Sequence, residues 1–443
     1  MESSRRDALR PFFEKADFME QRIADGIEQN RKGTGNLRFL LPDGSPLANA
    51  SVRVKQKTHD FLYGANLFML DEFDDRQKNE EYRRRFRDAF NQATLPFYWR
   101  DLEPEEGMPR YGLNSAHIYR RPTPELCLRF CEENGITPKE HCLFYDPYMP
   151  EWVPNDVASI KSALSKHFAE LASNFANRIH GWEVINETLT RYYRRGNTTF
   201  YDDPEVIEWC FKEAEKFFPN NELIINEAHP FIWEFFHGNR SAYYMLIERA
   251  LQKGARIDAI GLQYHMFHTL DRYNELSQIY YDPQRIFDVL DLYGSFGKPI
   301  QITEVTIPAY SQNAEDEEIQ REIVRNVYRM WFSHPTVEAI TYWNLIDGFA
   351  AFAKPGDMTA GENFYYGGLL RYDFTPKPAY FAVKDLFERE FRTEEMIHTD
   401  DNGYASFRGF YGVYDIEVDC LKETKHATYH LAKNQISPKQ MIL

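Results

Sequence analysis

The chain has 443 residues, 43% hydrophobic and 16% aromatic, with 28 Tyr, 34 Phe and 7 Trp. That length suits one barrel of roughly 250 to 350 residues plus a smaller module, and the aromatic surplus suits a large core or a site that stacks sugar rings. A net charge of −16, from 68 acidic against 52 basic residues, argues against nucleic acid and anionic membranes as partners, and no apolar run approaches membrane-spanning length.

The first residues, MESSRRDALRPFFEKADF, hold no uninterrupted apolar stretch of seven, so no secretory signal is read and a cytoplasmic location is expected. Phe12, Ala16, Met19, Ile23 and Ile27 recur at helical spacing, which predicts one N-terminal helix in 1–35 packed on something larger. From 36 to 58 the texture alternates, LRFLL then PDGSP then ASVRVKQ, and reads as strands around a turn.

Eight short apolar runs follow at 61–68, 93–99, 140–146, 179–187, 222–227, 257–265, 299–305 and 339–345. Amphipathic stretches such as ALSKHFAELASNF separate most of them. Eight strands alternating with helices is the count of a (β/α)8 barrel, expected over 59–391. A doubly wound sheet would want a Gly-rich phosphate turn after an early strand, and none is present. The segment 392–443 returns to strand texture in ASFRGFYGVYDIEVDC and ATYHLA. Each terminal β stretch is too small to stand alone, so the two are expected to pair into one small β-sandwich beside the barrel. Cys127, Cys131, Cys142, Cys210 and Cys420 are odd in number and scattered, and read as small buried hydrophobes.

Two acids close two of the candidate strands, Glu187 in GWEVINE and Glu304 in QITEV. Burying a carboxylate unpaired costs several kcal/mol, so an acid at the end of an apolar strand needs a reason. A structural ion pair is one. Glycosidic cleavage is another, because it needs one carboxyl group that donates a proton to the leaving oxygen and one carboxylate that attacks the anomeric carbon. Proximity of the two separates their pKa values and so assigns the jobs.

On these residues the sequence resembles glycoside hydrolase family 10, mostly endo-xylanases. WEVINE is similar to the family's W-D-V-V-N-E, which implies Glu187 as acid/base and Asn186 on a sugar 2-hydroxyl. QITEV is similar to its I-T-E-L, which implies Glu304 as nucleophile. IDAIGLQYH resembles I-D-G-I-G-L-Q-x-H and sets Gln263 and His265 around the nucleophile. EHCLFYDPYMPEWV implies a sugar contact for His141, and ITYWNLIDG makes Trp343 a sugar platform. The segment Trp99 to Gly107 and KPAY at 377–380 also match, in the family's order from about Phe90 to Phe391.

The departures concern the outer sugar grip and, at Thr306, the network around His265. Tyr98 stands where the family has Lys, Tyr145 and Asp146 replace Trp-His, Thr306 replaces Asp, and Glu227 and His229 replace Asp and Asn. Tyr98 and Tyr145 are therefore expected to contact substrate in place of the usual residues. The resemblance implies a retaining glycosidase acting on xylan-derived or related oligosaccharides, without cofactor or metal. Other readings remain: a barrel glycosidase of other specificity, a saccharide-binding barrel with no turnover, and a metal-dependent hydrolase in which His141, His265, Glu187 and Glu304 converge.

Overall fold

The structure, a computed structural model, describes residues 5–192, 198–420, 423–433 and 438–442. Fifteen strands are formed by those residues. β1 (Lys32–Leu40) and β2 (Ser51–His59) precede the barrel strands β3 (Leu62–Asn66), β4 (Gln92–Pro96), β5 (Thr137–His141), β6 (Gly181–Asn186), β7 (Glu222–Glu227), β8 (Ala259–His265), β9 (Ile300–Thr306) and β10 (Val337–Tyr342). β11 (Glu394–His398), β12 (Tyr404–Phe410), β13 (Gly412–Cys420), β14 (Glu423–Leu431) and β15 (Lys439–Ile442) follow.

The eight central strands are parallel and close into a barrel in the order β10-β3-β4-β5-β6-β7-β8-β9. This is the (β/α)8 architecture. Helices lie between consecutive strands, and their ends are written locally. The side chains of Asp75, Asp156 and Asn313 accept backbone N–H groups in the first turns of Arg76–Arg87, Val157–Phe175 and Ala314–Ser333, which satisfies donors that have no partner within the helix. The helix Pro124–Asn134 starts on proline and stops at Gly135, whose φ of +63° ends the helix without strain.

The third barrel strand ends earlier than the apolar run 140–146 predicts. β5 stops at His141, and the chain continues beside β6 through Leu143 N–H to the Glu183 carbonyl (2.8 Å) and Asn186 N–H to the Phe144 carbonyl (3.1 Å). Leu143 and Phe144 are buried there, so the apolar run persists beyond the strand. No helix among the described residues is long and apolar enough to cross a membrane. All five cysteines are buried and unpaired.

Outside the barrel, β12-β1-β15 form one sheet and β11-β2-β13-β14 another. Leu37, Phe39, Val52, Val54, Phe407, Ile416, Val418 and Leu431 form a core of their own between them. β1 begins at Lys32, before Asn36. Gly33 and Gly35 lie in the strand, paired with β12, and must be glycine because a side-chain carbon there would collide with the Tyr411 and Phe407 rings. The helix Ala16–Asn30 docks on the barrel helix Ala314–Ser333. Gly26 lies against Ser333, Asn30 Nδ2 donates to the Ser333 carbonyl at 3.0 Å, and the Arg31 guanidinium donates to the carbonyls of Phe332, His334 and Val337.

Candidate active site

At the C-terminal end of the barrel, the side from which such folds perform chemistry, the loops enclose one cleft of about 1010 Å³. Glu187 follows β6 directly and has a φ of +52°, a conformation that costs a residue with a side chain and persists only where its surroundings hold it. They do so here. Glu187 N–H donates to the Asn226 carbonyl at 3.1 Å, and the Thr190 hydroxyl donates to the Glu187 carbonyl at 2.8 Å. The buried Glu227 carboxylate accepts Leu189 N–H at 3.0 Å and the Thr188 hydroxyl at 3.1 Å, which pins the next residues to β7.

Glu304 lies within β9 and is 3% exposed. Its Oε1 accepts from Gln263 Nε2 at 2.9 Å and Asn226 Nδ2 at 3.1 Å, and its Oε2 faces His265 Nε2 at 3.0 Å. Gln263 Nε2 also donates to Glu187 Oε1 at 3.1 Å. Two oxygens on one nitrogen lie no farther apart than those two bonds end to end, about 6 Å. That is short of the roughly 6.5 Å at which the range for inverting glycosidases begins, and it accommodates the roughly 5 to 5.5 Å of retaining ones.

The local electrostatics follow from burial. Burial pushes Glu304 up to about 8; the His141 ring opposes that rise, and the carboxylates of Glu187 and Glu183 add to it. Glu304 is therefore protonated near neutral pH in the free protein, and that proton must move before its carboxylate can attack. Beneath it, Glu183 is an ion. Burial would raise it, but the Lys139 ammonium and the His141 ring, both hydrogen-bonded to it, bring it down to about 2.

The remaining residues singled out from sequence line the same cleft. His265 Nδ1 meets the Thr306 hydroxyl at 3.0 Å, so the ring is oriented by a neutral partner. The tautomer that satisfies both contacts carries its proton on Nε2 toward Glu304, with Thr306 donating to Nδ1. His141 has both nitrogens engaged, Nδ1 by Glu183 and Nε2 by the Tyr98 hydroxyl at 3.1 Å. It offers a sugar mainly its ring. Trp343 packs edge-on to His141 and Phe68 with centroids 5.2 Å from each. Asn186 Oδ1 accepts from Asn226 Nδ2 at 2.9 Å. Tyr145 donates its hydroxyl to Glu187 Oε2 at 2.5 Å. Among the described residues, no group of three or more His, Cys, Asp or Glu side chains is placed to hold a metal ion.

Residues 69–386 match Glycosyl hydrolase family 10. The chain belongs to that family. It is 24% identical over 424 residues to endo-1,4-beta-xylanase 2 of Arabidopsis thaliana, covering 93% of this chain and 35% of that one. It is also 24% identical over 401 residues to the anti-sigma-I factor RsgI6 of Acetivibrio thermocellus, covering 88% and 45%. The chain thus spans less than half the length of these relatives. Among solved structures, xylanase 10B from Thermotoga petrophila RKU-1 in complex with xylobiose aligns with a TM-score of 0.58 at 23% identity, over 75% of this chain and 95% of that one.

Three features of this family 10 site escape the sequence reading. Asn226 is its hub: Nδ2 serves Glu304 and Asn186, while Oδ1 accepts from Thr303 at 2.6 Å. A signal existed, since ELIINE ends an apolar strand on polar residues just as GWEVINE does. Gly261 leaves the necessary room, because a side-chain carbon there would lie 2.5 Å from Asn226 Oδ1. The Tyr145 bond to Glu187 depends on the loop after β5 and has no sequence signal. Glu103, in the Trp99 to Gly107 motif, is a loop anchor that accepts Trp99 Nε1 at 3.1 Å and Gly107 N–H at 2.8 Å.

Proposed function

We propose that this family 10 chain is a retaining β-glycosidase acting on xylan-derived or related oligosaccharides, with Glu304 as nucleophile and Glu187 as acid/base. The observation that carries the reading is the single Gln263 amide nitrogen bonded to both carboxylates. Glu304 attacks the anomeric carbon while Glu187 gives its proton to the departing oxygen. A glycosyl–enzyme ester forms, and Glu187, now ionised, takes a proton from water as that water attacks, releasing the sugar with retained configuration. Positive charge developing on the sugar ring favours Glu304 ionised, with the proton it held in the free protein carried by Glu187. Asn186 contributes an amide N–H to the neighbouring sugar hydroxyl, and Gln263 and His265 hold Glu304 in line. The exposed rings of Phe235 and Phe352 at the rim suit stacking on further sugars. The relatives named as endo-1,4-beta-xylanases and the xylobiose bound in a related barrel support xylan-type substrates.

The test is hydrolysis of aryl xyloside, xylobioside, glucoside, arabinoside and galactoside side by side. Release from at least one is expected, with Glu304→Ala losing at least about 10³-fold. Azide should restore Glu304→Ala on an activated substrate and give a product of inverted configuration. A folded Glu304→Ala protein that azide does not rescue would remove Glu304 from the nucleophile role. Saccharide binding without turnover on any substrate would replace the hydrolase with a sugar-binding barrel.

A further inference from the structure

One end of the cleft carries positive charge that the rest of the protein does not lead one to expect. In a chain of net charge −16, the guanidinium groups of Arg100, Arg120 and Arg121 line the wall built by the loop after β4. Asp101 serves two of them. Arg121 Nε donates to Asp101 Oδ2 at 2.5 Å, and Arg100 Nε lies 3.5 Å from Asp101 Oδ1. Arg120 is 7% exposed and, among the described residues, its guanidinium has no carboxylate within 4 Å. Its partners are neutral: the Phe349 carbonyl, Asn344 Oδ1 at 3.5 Å and the Phe68 ring at 5.8 Å. The nearest opposing charge is Glu362, which lines the same cleft and favours the charged guanidinium without touching it; Asn344 Nδ2 donates to that carboxylate at 2.9 Å.

A buried ion with no carboxylate in contact is costly, and this one is also held in a strained backbone. Arg120 has a φ of +62°, and its N–H is fixed by the Glu72 carboxylate at 2.8 Å. Observed strain of this kind marks ligand clamps. A guanidinium fork is shaped to take a carboxylate through two parallel bonds. The path from Arg120 to the nucleophile runs through the Phe68, Trp343 and His265 rings, so the anion is carried beyond the sugar that Glu304 attacks.

We propose that this end of the cleft binds a uronic acid, a carboxylate-bearing sugar unit on the oligosaccharide, with Arg120 as its specificity determinant. The inference rests on the glycosidase reading for the site and names the substrate class. The test compares xylo-oligosaccharides of equal length carrying one glucuronic acid, the same acid as its methyl ester, a sulfate ester, or no substituent. The free acid should be cut with a kcat/KM about 10- to 100-fold above the methyl ester, and Arg120→Gln should collapse that ratio. Equal rates for acid and ester overturn the proposal without touching the hydrolase reading. A preference for the sulfate ester over the uronate overturns the carboxylate assignment. Should Arg120→Gln not fold, acid against ester in the unaltered protein decides. Should nothing be turned over, calorimetry decides: tighter binding of acid than ester upholds the arginine site while the hydrolase reading fails, and equal or absent binding overturns the site as well.

Discussion

Each oxygen of Glu187 accepts a hydrogen bond, Oε1 from Gln263 and Oε2 from Tyr145. The phenol is the one that differs from the family pattern, which has Trp at this position. A hydrogen bond to a charged acceptor contributes about 1.5–3 kcal/mol, and a tenfold change corresponds to about 1.4 kcal/mol. Tyr145→Phe removes the donor that positions Glu187 Oε2 and is expected to lower kcat/KM on an aryl glycoside by about 10- to 100-fold. An unchanged kcat/KM would make Tyr145 a packing residue. In the unaltered protein, the sign follows from Glu304 standing at about 8. Above that pH the proton held at Glu304 in the free protein is gone and none can pass by way of Glu187 to the leaving oxygen, so activity falls through about pH 8. A rate still climbing at pH 9 would contradict that use of the proton.

At the scale of elements, the two glycines near the start of β1 show packing selecting a residue. Gly33 and Gly35 both pair with β12, and the Tyr411 and Phe407 rings fill the space a side chain would take. Gly35→Val places bulk against Phe407 and is expected to destabilise the protein by about 1–3 kcal/mol. Thermal unfolding would record this, while the specific activity of the folded fraction at low temperature stays near that of the parent, since β1 belongs to the accessory sheets. Arg31 works at the same scale. Its guanidinium caps carbonyls where the helix Ala314–Ser333 ends, tying the N-terminal helix to the barrel, and burial lowers its pKa to about 10.

Across the whole molecule, stability and pH are linked through buried carboxyls. Burial pushes Glu227, Glu304 and Glu338 up to about 8 each. A group raised in the folded state contributes stability that is full below its unfolded pKa and is lost as pH rises through the folded value. Glu183, lowered to about 2, works in the opposite sense, and its contribution is lost only as pH falls toward 2. Thermal stability should therefore peak in mildly acidic solution and decline by several degrees between about pH 5 and pH 8.5. Glu338→Gln, at the barrel end remote from the cleft, should flatten part of that decline. A melting temperature that rises across the interval would refute this sign.

The sequence by itself determined the number of barrel strands, their parallel order and the two acids at strand ends. Apolar periodicity and a carboxylate closing an apolar run are local signals, carried by residues a few positions apart. Glu187 and Glu304 were legible for that reason, while Gln263, His265 and Trp343 came from the resemblance to family 10. What only the tertiary structure decided are contacts between distant residues. No local pattern says that β1 pairs with β12, that one Gln263 nitrogen spans both acids, that Asn226 anchors Glu304, that Tyr145 reaches Glu187, or that no carboxylate touches the Arg120 guanidinium. Those depend on which loops close over the barrel and on how much water they exclude, because only in a dry, shaped cleft does a charge with no carboxylate in contact, or a proton held on a buried carboxyl, acquire its energy.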